Sequence, residues 1–215
     1  MSSGHRIIAF SGHTGSGKST SATAIEKWWC TFNADATEQS AVRVVHINFA
    51  DRLKQLAALI FRFDVQLGYS QEGKKTFIES AGMTVGEIFQ TLGNSMRRDY
   101  GEDFWLKELG RTMDAVIAEE RGDERQSLLF VVGDLRYPNE AEFLRQRGAL
   151  LFRLVGDPQR ERANSTRDLT HESEVALDHW PTQNYDLVLN TDKLGVQDVV
   201  RCCLEKMQVL AQTTN

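Results

Sequence analysis

The stretch Gly12-His13-Thr14-Gly15-Ser16-Gly17-Lys18-Ser19-Thr20 decides how the rest of the chain is interpreted. It follows the apolar run 7–10 and leads into a segment compatible with a helix. The first N–H groups of a helix have no partner within it, and the helix dipole adds partial positive charge there. Glycines before such a helix let the backbone wrap around an anion. The spacing G-x-x-x-x-G-K-S adds an ammonium for phosphates and a hydroxyl for Mg²⁺, so we predict a nucleotide phosphate site.

The whole stretch supplies the expected phosphate contacts. Lys18 is expected to act in catalysis as well as in binding, and Ser19 is expected to bind Mg²⁺. The residues predicted to bind the nucleotide phosphates are Gly12, Thr14, Gly15, Ser16, Gly17, Lys18, Ser19 and Thr20.

Length, charge and cysteine content limit the class of protein. The chain has 215 residues, which fits one α/β domain with or without a lid. Its formal net charge of −5, with interspersed signs, does not indicate a nucleic-acid partner. The adjacent Cys202 and Cys203 have no metal-ligand spacing and are expected in or near the core. We find no signal peptide and no apolar run near the ~18 residues of a membrane span, so we expect a cytoplasmic protein without a membrane partner.

Continuous apolar runs predict strands that are buried on both faces. Helical patterns separate these runs, which indicates βαβ units. We therefore predict a three-layer α/β/α fold with a five-stranded parallel sheet. The five runs are 7–10, 42–49, 128–133, 150–155 and 185–189.

About 80 residues lie between the second and third runs, too many for one crossover. They predict a helical insert, 51–125. By analogy with parallel-sheet kinases of small substrates, we expect this insert to bind the molecule that accepts the phosphoryl group. The segment 157–172 is rich in arginine and polar residues and is expected to form a lid-like loop. The helices predicted within the insert and at the end of the chain are 51–63, a stretch around 74–81, 85–99, 104–121 and 194–210.

The third run ends in a carboxylate, and two residues later comes an arginine. Asp134 at such a position is expected to bind Mg²⁺ or its waters, the alternative being a cap of the next turn. Arg136 would grip a phosphate with two hydrogen bonds. Glu140 would hold that arginine, accept from a substrate hydroxyl, or simply stabilise a helix N-terminus. We assign Asp134 and Arg136 catalytic roles.

Candidates in the insert are weaker, and each has a structural alternative. Asp51 is expected to cap a helix, and Lys54 to point at an acceptor phosphate. Gln90 would read a base edge. Trp105 would either stack on a base or pack in the core. The adjacent Arg97 and Arg98 would hold the acceptor phosphate or remain solvated.

The arginines of the lid-like loop are Arg160, Arg162 and Arg167. On a closing loop such cations lower the barrier to phosphoryl transfer, although they are equally compatible with a solubilising surface. His171 and Glu174 would pair at the start of a helix. They are two ligands short of a zinc site, which we reject.

These blocks together resemble the deoxynucleoside monophosphate kinases of the bacteriophage type, within the P-loop kinase superfamily. The resemblance rests on the phosphate loop 12–19, F-A-D-x-L-K at 49–54, F-Q-x-L-G at 89–93 followed by Trp105, D-x-R-x-x-x-E at 134–140, and H-x-x-E at 171–174. It covers most of the chain, and only the phosphate loop is specific alone. One departure is that relatives often have an arginine where this chain has Gly86-Glu87. Contacts to the acceptor phosphate would then shift to Arg97, Arg98 or Lys75.

The resemblance implies transfer of the γ-phosphoryl of ATP to a deoxynucleoside 5′-monophosphate, with Mg²⁺. It implies ATP contacts from the phosphate loop, with Arg160 and Arg162 at the lid. A homodimer is possible. The residues assigned to the monophosphate are Leu53, Lys54, Lys75, Gln90, Arg97, Arg98, Trp105, Asp134, Arg136 and Glu140.

Two other functions stay open. One is a P-loop kinase for another phosphorylated small molecule, such as phosphomevalonate, since animal-type enzymes of that kind resemble the same blocks. The other is a nucleotide-dependent switch. Against the switch, the chain has no N-K-x-D base-recognition motif, because 190–193 reads N-T-D-K.

Overall fold

A computed structural model describes residues 5–34, 42–120, 127–158, 169–170 and 172–213. The chain divides into two compact units. The first, here called the sheet unit, consists of Met1–Asn48 and Val116–Asn215, and the second, the helical unit, of Phe49–Ala115. The prediction of one kinase domain with an insert at 51–125 stays a prediction.

The helices and strands alternate along the chain as the sequence predicts for an α/β protein. No helix in the described part of the chain has the length and apolar character needed to cross a membrane. In chain order the elements are β1 (Arg6–Ser11), α1 (Lys18–Ala34), β2 (Val42–His46), α2 (Phe49–Phe61), α3 (Gln71–Lys74), β3 (Phe77–Ile78), β4 (Met83–Thr84), α4 (Val85–Tyr100), α5 (Phe104–Glu120), β5 (Ser127–Leu135), α6 (Pro138–Gln146), β6 (Leu150–Val155), α7 (Glu172–Val175), β7 (Leu187–Asn190) and α8 (Val196–Thr213), with 3₁₀ turns at Val65–Tyr69 and Thr182–Asn184.

The five-stranded parallel sheet is confirmed, with the strand order β2-β5-β1-β6-β7. β1 is central, and Ile8 lies opposite Val131 on one side and Leu150 on the other. The crossover from β1 to β2 and the crossover from β5 to β6 run in opposite directions across the sheet. Right-handed connections therefore place α1 and α6 on opposite faces, which gives three layers. Ligands of open α/β sheets bind at the carboxyl ends of the strands, where the direction of the crossovers reverses.

The core of the sheet unit explains why the central strands are mostly apolar. Alternate residues of β1, such as Ile8 and Phe10, lie on one face of the sheet and pack with α1 and α8. The residues between them, such as Ile7 and Ala9, are buried as well. Cys203 lies in this core, as expected. A strand covered on both faces has few positions for a polar side chain, and the continuous apolar runs follow from this.

The helical unit contains α2, α4 and most of α5, close to their predicted bounds. The predicted helix around 74–81 is wrong. α3 ends at Lys74, and a short antiparallel hairpin of β3 and β4 follows, with Gly82 at φ +63° in its turn. The β-branched and aromatic residues of 76–78 favour a strand, and the left-handed turn conformation at Gly82 suits a residue without a side chain. Thr84 then caps α4 in a reciprocal arrangement with Glu87.

Candidate functional site

The phosphate loop 12–19 joins β1 to α1, and its glycines have backbone angles that other residues rarely adopt. The angle φ is +147° at Gly12, +81° at Gly15 and +89° at Gly17. A Cβ built on Gly12 would lie 2.3 Å from the carbonyl oxygen of Leu154 and 2.5 Å from Ser16 Oγ. The backbone at Gly12 therefore passes too close to β6 for any side chain. The first glycine of the motif is a requirement of this packing.

Lys18 opens α1, and its ammonium folds back over the loop. Nζ donates to the carbonyl oxygen of Gly12 at 2.6 Å and to that of His13 at 2.7 Å. The residue is buried. Charge-assisted hydrogen bonds of this length compensate a cation for lost hydration. The loop thus holds a positive charge against its own backbone.

Other groups in and next to the phosphate loop fit a chain of phosphates. The hydroxyls of Ser11 and Ser16 are buried and have no hydrogen-bond partner within the described part of the chain. Buried polar groups without partners are uncommon in folded proteins, and a ligand is one explanation. The first turn of α1 contains no acidic residue that would oppose an anion at its N-terminus. The hydroxyl of Ser19 lies in this turn on an exposed residue, as a Mg²⁺ ligand requires.

Glu174 connects the phosphate loop with Arg136. Its Oε2 accepts hydrogen bonds from the backbone N–H of Thr14 at 2.9 Å and from Thr14 Oγ1 at 3.0 Å. Its Oε1 accepts from Arg136 Nη1 at 2.7 Å. The sequence pairs Glu174 with His171, which lies outside the described residues, and it gives no indication of the contact with Thr14. The Glu174 side chain is 2% exposed, so this is a buried ionic contact.

Arg136 remains a cation in this setting. Burial alone lowers the pKa of its guanidinium, but the nearby carboxylates of Glu174, Asp134 and Glu140 outweigh that effect and raise the pKa. Nη1 also donates to the carbonyl oxygen of Ser173 at 3.3 Å. Nη2 and Nε have no hydrogen-bond partner among the described residues. Half of the guanidinium fork is therefore still able to bind an oxyanion.

Glu140 and Asp134 take different positions around Arg136. Glu140 is buried, and its Oε2 accepts from the backbone N–H groups of Arg136 at 2.8 Å and Tyr137 at 3.1 Å. This favours the alternative in which Glu140 stabilises the N-terminus of α6. Asp134 is the last but one residue of β5, because the strand extends two residues beyond the predicted 128–133. It is half-buried, and its charge contributes to the raised pKa of Arg136.

In the helical unit, Lys54 is held by neighbours. Its Nζ lies 3.5 Å from Asp51 Oδ1 and 3.9 Å from the centroid of the Tyr69 ring. The Tyr69 hydroxyl donates to the same Asp51 oxygen at 3.3 Å. Asp51 is not the cap of α2, because that helix begins at Phe49, which places Asp51 in the first turn. Leu53 is half-buried and faces Gly93 of α4, where a built Cβ would lie 3.3 Å from Leu53 Cδ2.

The other polar candidates of the helical unit lie at or near its surface. Gln90 is exposed and Arg97 half-buried. The exposed Arg98 pairs with Asp99 at 2.7 Å, and the exposed Lys75 lies 3.4 Å from Glu72. Exposed pairs of this kind contribute little to stability, so both cations are able to change partners at low cost.

Trp105 is a packing residue of the helical unit. It is 3% exposed, its Nε1 donates to the carbonyl oxygen of Gly93 at 3.2 Å, and its ring meets Phe104 edge-on. A ring buried in this way offers no face to a base. Of the two alternatives left open by the sequence, the structure favours the core over base stacking.

Arg160, Arg162, Arg167 and most of the predicted lid-like loop lie outside the described residues. Within the part of the chain that is described, no group of three or more His, Cys, Asp or Glu residues is placed to hold a metal ion. Mg²⁺ at a nucleotide needs only one or two protein ligands, because water and phosphate oxygens supply the rest. The predicted pair Ser19 and Asp134 is compatible with that requirement.

Comparison with known proteins extends the resemblance drawn from the motifs. The chain is 26% identical over 192 residues to a protein of Acanthamoeba polyphaga mimivirus named "Putative deoxynucleotide monophosphate kinase". The alignment covers 87% of this chain and 89% of that protein. This similarity confirms the resemblance to deoxynucleoside monophosphate kinases. No protein-family model matches the chain.

Two solved structures align with nearly the whole chain at low similarity. A sugar kinase from Janibacter sp. HTCC2649 is 14% identical, with a TM-score of 0.45 over 95% of both chains. Shikimate kinase from Bacteroides thetaiotaomicron is 18% identical, with a TM-score of 0.42 over 94% of this chain and 98% of that one.

Proposed function

We propose that this protein is a Mg²⁺-dependent nucleotide kinase that transfers the γ-phosphoryl group of ATP to a deoxynucleoside 5′-monophosphate, forming the diphosphate and ADP. One observation carries the proposal. A glycine-lined loop with Lys18 folded over it is joined through Glu174 to Arg136, whose guanidinium is still able to bind an anion. The name of the mimivirus relative supports the choice of acceptor.

The phosphate loop is proposed to bind the triphosphate. Backbone N–H groups at the start of α1 would contact phosphate oxygens, and Lys18 would exchange its loop carbonyls for the β- and γ-phosphates. Ser19 and Asp134 would hold Mg²⁺, which neutralises phosphate charge when it is bound. Arg160 and Arg162 are proposed to contact ATP from the lid.

Arg136 is proposed to bind the phosphate of the acceptor. Two phosphates must approach each other for transfer, and their mutual repulsion has to be offset by cations. A monophosphate oxygen then forms a bond to the γ-phosphorus while the bond from that phosphorus to the β–γ bridging oxygen breaks. A phosphate monoester loses its second proton with a pKa of about 6, so at neutral pH the attacking oxygen needs no strong base. Positioning and charge neutralisation are sufficient.

The helical unit is proposed to complete acceptor recognition. Lys54 is a candidate for the acceptor phosphate because its contacts with Asp51 and Tyr69 hold the ammonium in a fixed position. Lys75, Arg97 and Arg98 are further phosphate candidates. Gln90 is proposed to read the base, since its amide is exposed and both donates and accepts.

Release of ADP, measured in a coupled assay over all common NMPs and dNMPs and phosphomevalonate, tests the proposal. We expect slow ATP hydrolysis alone and strong stimulation by one or more deoxynucleoside monophosphates. Stimulation by phosphomevalonate alone would instead identify the other kinase reaction. Hydrolysis that no acceptor stimulates would favour the nucleotide switch and would refute a kinase of this class.

A further inference from the structure

We infer that Glu174 is a positioning residue of this kinase, which fixes the guanidinium of Arg136 against the phosphate loop. The inference rests on the proposed function. Glu174 acts through two neighbours: Thr14 on the side of the nucleotide donor and Arg136 on the side of the acceptor. Both contacts lie within the sheet unit.

The contact geometry assigns each carboxylate oxygen its own partner. Oε2 accepts from the N–H and the hydroxyl of Thr14 at 2.9 and 3.0 Å, and Oε1 accepts from Arg136 Nη1 at 2.7 Å. A planar carboxylate whose oxygens are divided in this way fixes the distance between its partners. The phosphate loop and Arg136 are thus kept at one spacing by a single side chain.

Electrostatics makes the pair interdependent. A carboxylate that is 2% exposed needs a cation, because an unpaired buried charge is strongly unfavourable. A bare carboxylate at the phosphate loop would also repel a triphosphate, and Arg136 neutralises it. Conversely, Arg136 without Glu174 would still be attracted by Asp134 and Glu140, the other carboxylates that raise its pKa. Loss of Glu174 therefore redirects the guanidinium without removing its charge.

The variant Glu174→Gln tests this role because it keeps the size of the side chain. Its amide oxygen still accepts from Thr14, but its NH₂ group cannot accept from Arg136. We expect kcat/KM for the monophosphate to fall about 10- to 100-fold, while KM for ATP changes by less than about twofold. Normal acceptor kinetics in this variant would overturn the inference and leave the proposed function standing.

Asp186→Asn is the matched control. Asp186 Oδ2 also joins an arginine and a backbone N–H, accepting from Arg145 Nη1 at 2.9 Å and from Leu151 N–H at 2.8 Å, and it also lies in the sheet unit. We expect this variant to lose stability but to keep kcat/KM within about twofold below its melting temperature. If kcat/KM for the monophosphate falls equally in both variants, the effect comes from the loss of any such carboxylate contact in the sheet unit, and the inference is overturned.

A double-mutant cycle with Arg136→Ala separates positioning from a merely structural role. In the Arg136→Ala background, Glu174→Gln should not lower kcat/KM for the monophosphate any further, since the residue that Glu174 positions is absent. It should instead lower KM for ATP, because it removes the unpaired carboxylate beside the phosphate loop. An equal fall in both backgrounds would overturn the inference. If no monophosphate stimulates the wild-type protein, the proposed function fails. The contact between Glu174 and Arg136 can then still be tested by urea unfolding of the wild type, the two single variants and the double variant. If the effects of the two substitutions on the unfolding equilibrium constant are independent, with a coupling factor below about five, the contact is refuted.

Discussion

Substitution of Gly12 by alanine tests the packing that shapes the phosphate loop. An alanine there must adopt φ near +147°, and its Cβ would meet the Leu154 carbonyl oxygen at 2.3 Å. The unusual backbone angle costs about 1–3 kcal/mol. The clash is with strand backbone, which cannot swing away like a side chain, and overpacking of this kind adds about 1–3 kcal/mol. We therefore expect Gly12→Ala to lower the free energy of unfolding by about 2–6 kcal/mol.

Gly148→Ala separates the two contributions. Gly148 also has a positive φ, +80°, and follows α6 in the same unit, but a Cβ there meets nothing within 4 Å. It should cost about 1–2 kcal/mol from backbone strain alone. Urea unfolding followed by circular dichroism measures both variants. With a slope of about 2 kcal/mol per molar, the midpoint of Gly12→Ala should fall roughly 0.5–2 M below that of Gly148→Ala.

Nucleotide binding provides a second measurement. Gly12→Ala should lose affinity for Mg·ATP because the loop has to move away from β6, whereas Gly148→Ala should bind normally. Equal unfolding midpoints for the two variants would refute the close approach to Leu154. Normal Mg·ATP affinity in Gly12→Ala would show that nucleotide binding by the phosphate loop does not depend on this close approach.

Four further outcomes are expected. Lys18→Ala should reduce kcat at least about a hundredfold with an unchanged circular dichroism spectrum, and near-normal turnover would remove the loop from the active site. Arg136→Ala should lower kcat/KM for the monophosphate by about 30- to 100-fold and should affect KM for ATP less, raising it because Glu174 is left unpaired beside the phosphate loop; unchanged acceptor kinetics would exclude Arg136 from the site. Trp105→Phe should cost about 1–3 kcal/mol of stability and leave kcat/KM within about twofold, whereas a base-stacking Trp105 would give the opposite result. Burial, with a smaller effect of the charge on Cys202, raises the pKa of Cys203 to about 12, so at pH 8 iodoacetamide should alkylate Cys203 at least roughly a hundredfold more slowly than an ordinary cysteine. Equal labelling of Cys202 and Cys203, measured by tandem mass spectrometry, would contradict this burial.

The sheet could be predicted because its physics is local. A strand that is covered on both faces must be apolar at nearly every position, and the run 150–155 meets this condition over the whole of β6. The phosphate loop could be predicted for the same reason, since glycines, lysine and the start of α1 are adjacent in the chain. The sequence does not indicate the hairpin of β3 and β4, because strands of two residues each are too short to show an alternating pattern.

The contacts around Arg136 depend on distant parts of the chain. Thr14 and Glu174 are 160 residues apart, and Arg136 and Glu174 are 38 apart. Composition and periodicity contain no information on such a pairing. Glu172 and Glu174 share a four-residue helix, and nothing in the local sequence indicates that Glu174 of the two will be buried. Trp105 illustrates the same limit, because packing and stacking both require an aromatic ring and differ only in what covers it.

The distribution of tryptophans has a practical use. Trp28, Trp29 and Trp180 belong to the sheet unit, and Trp105 is the single indole of the helical unit. Replacing the first three by phenylalanine would leave a protein whose fluorescence comes from one unit. Its emission spectrum would then follow the melting and the ligand response of that unit separately from the rest of the molecule.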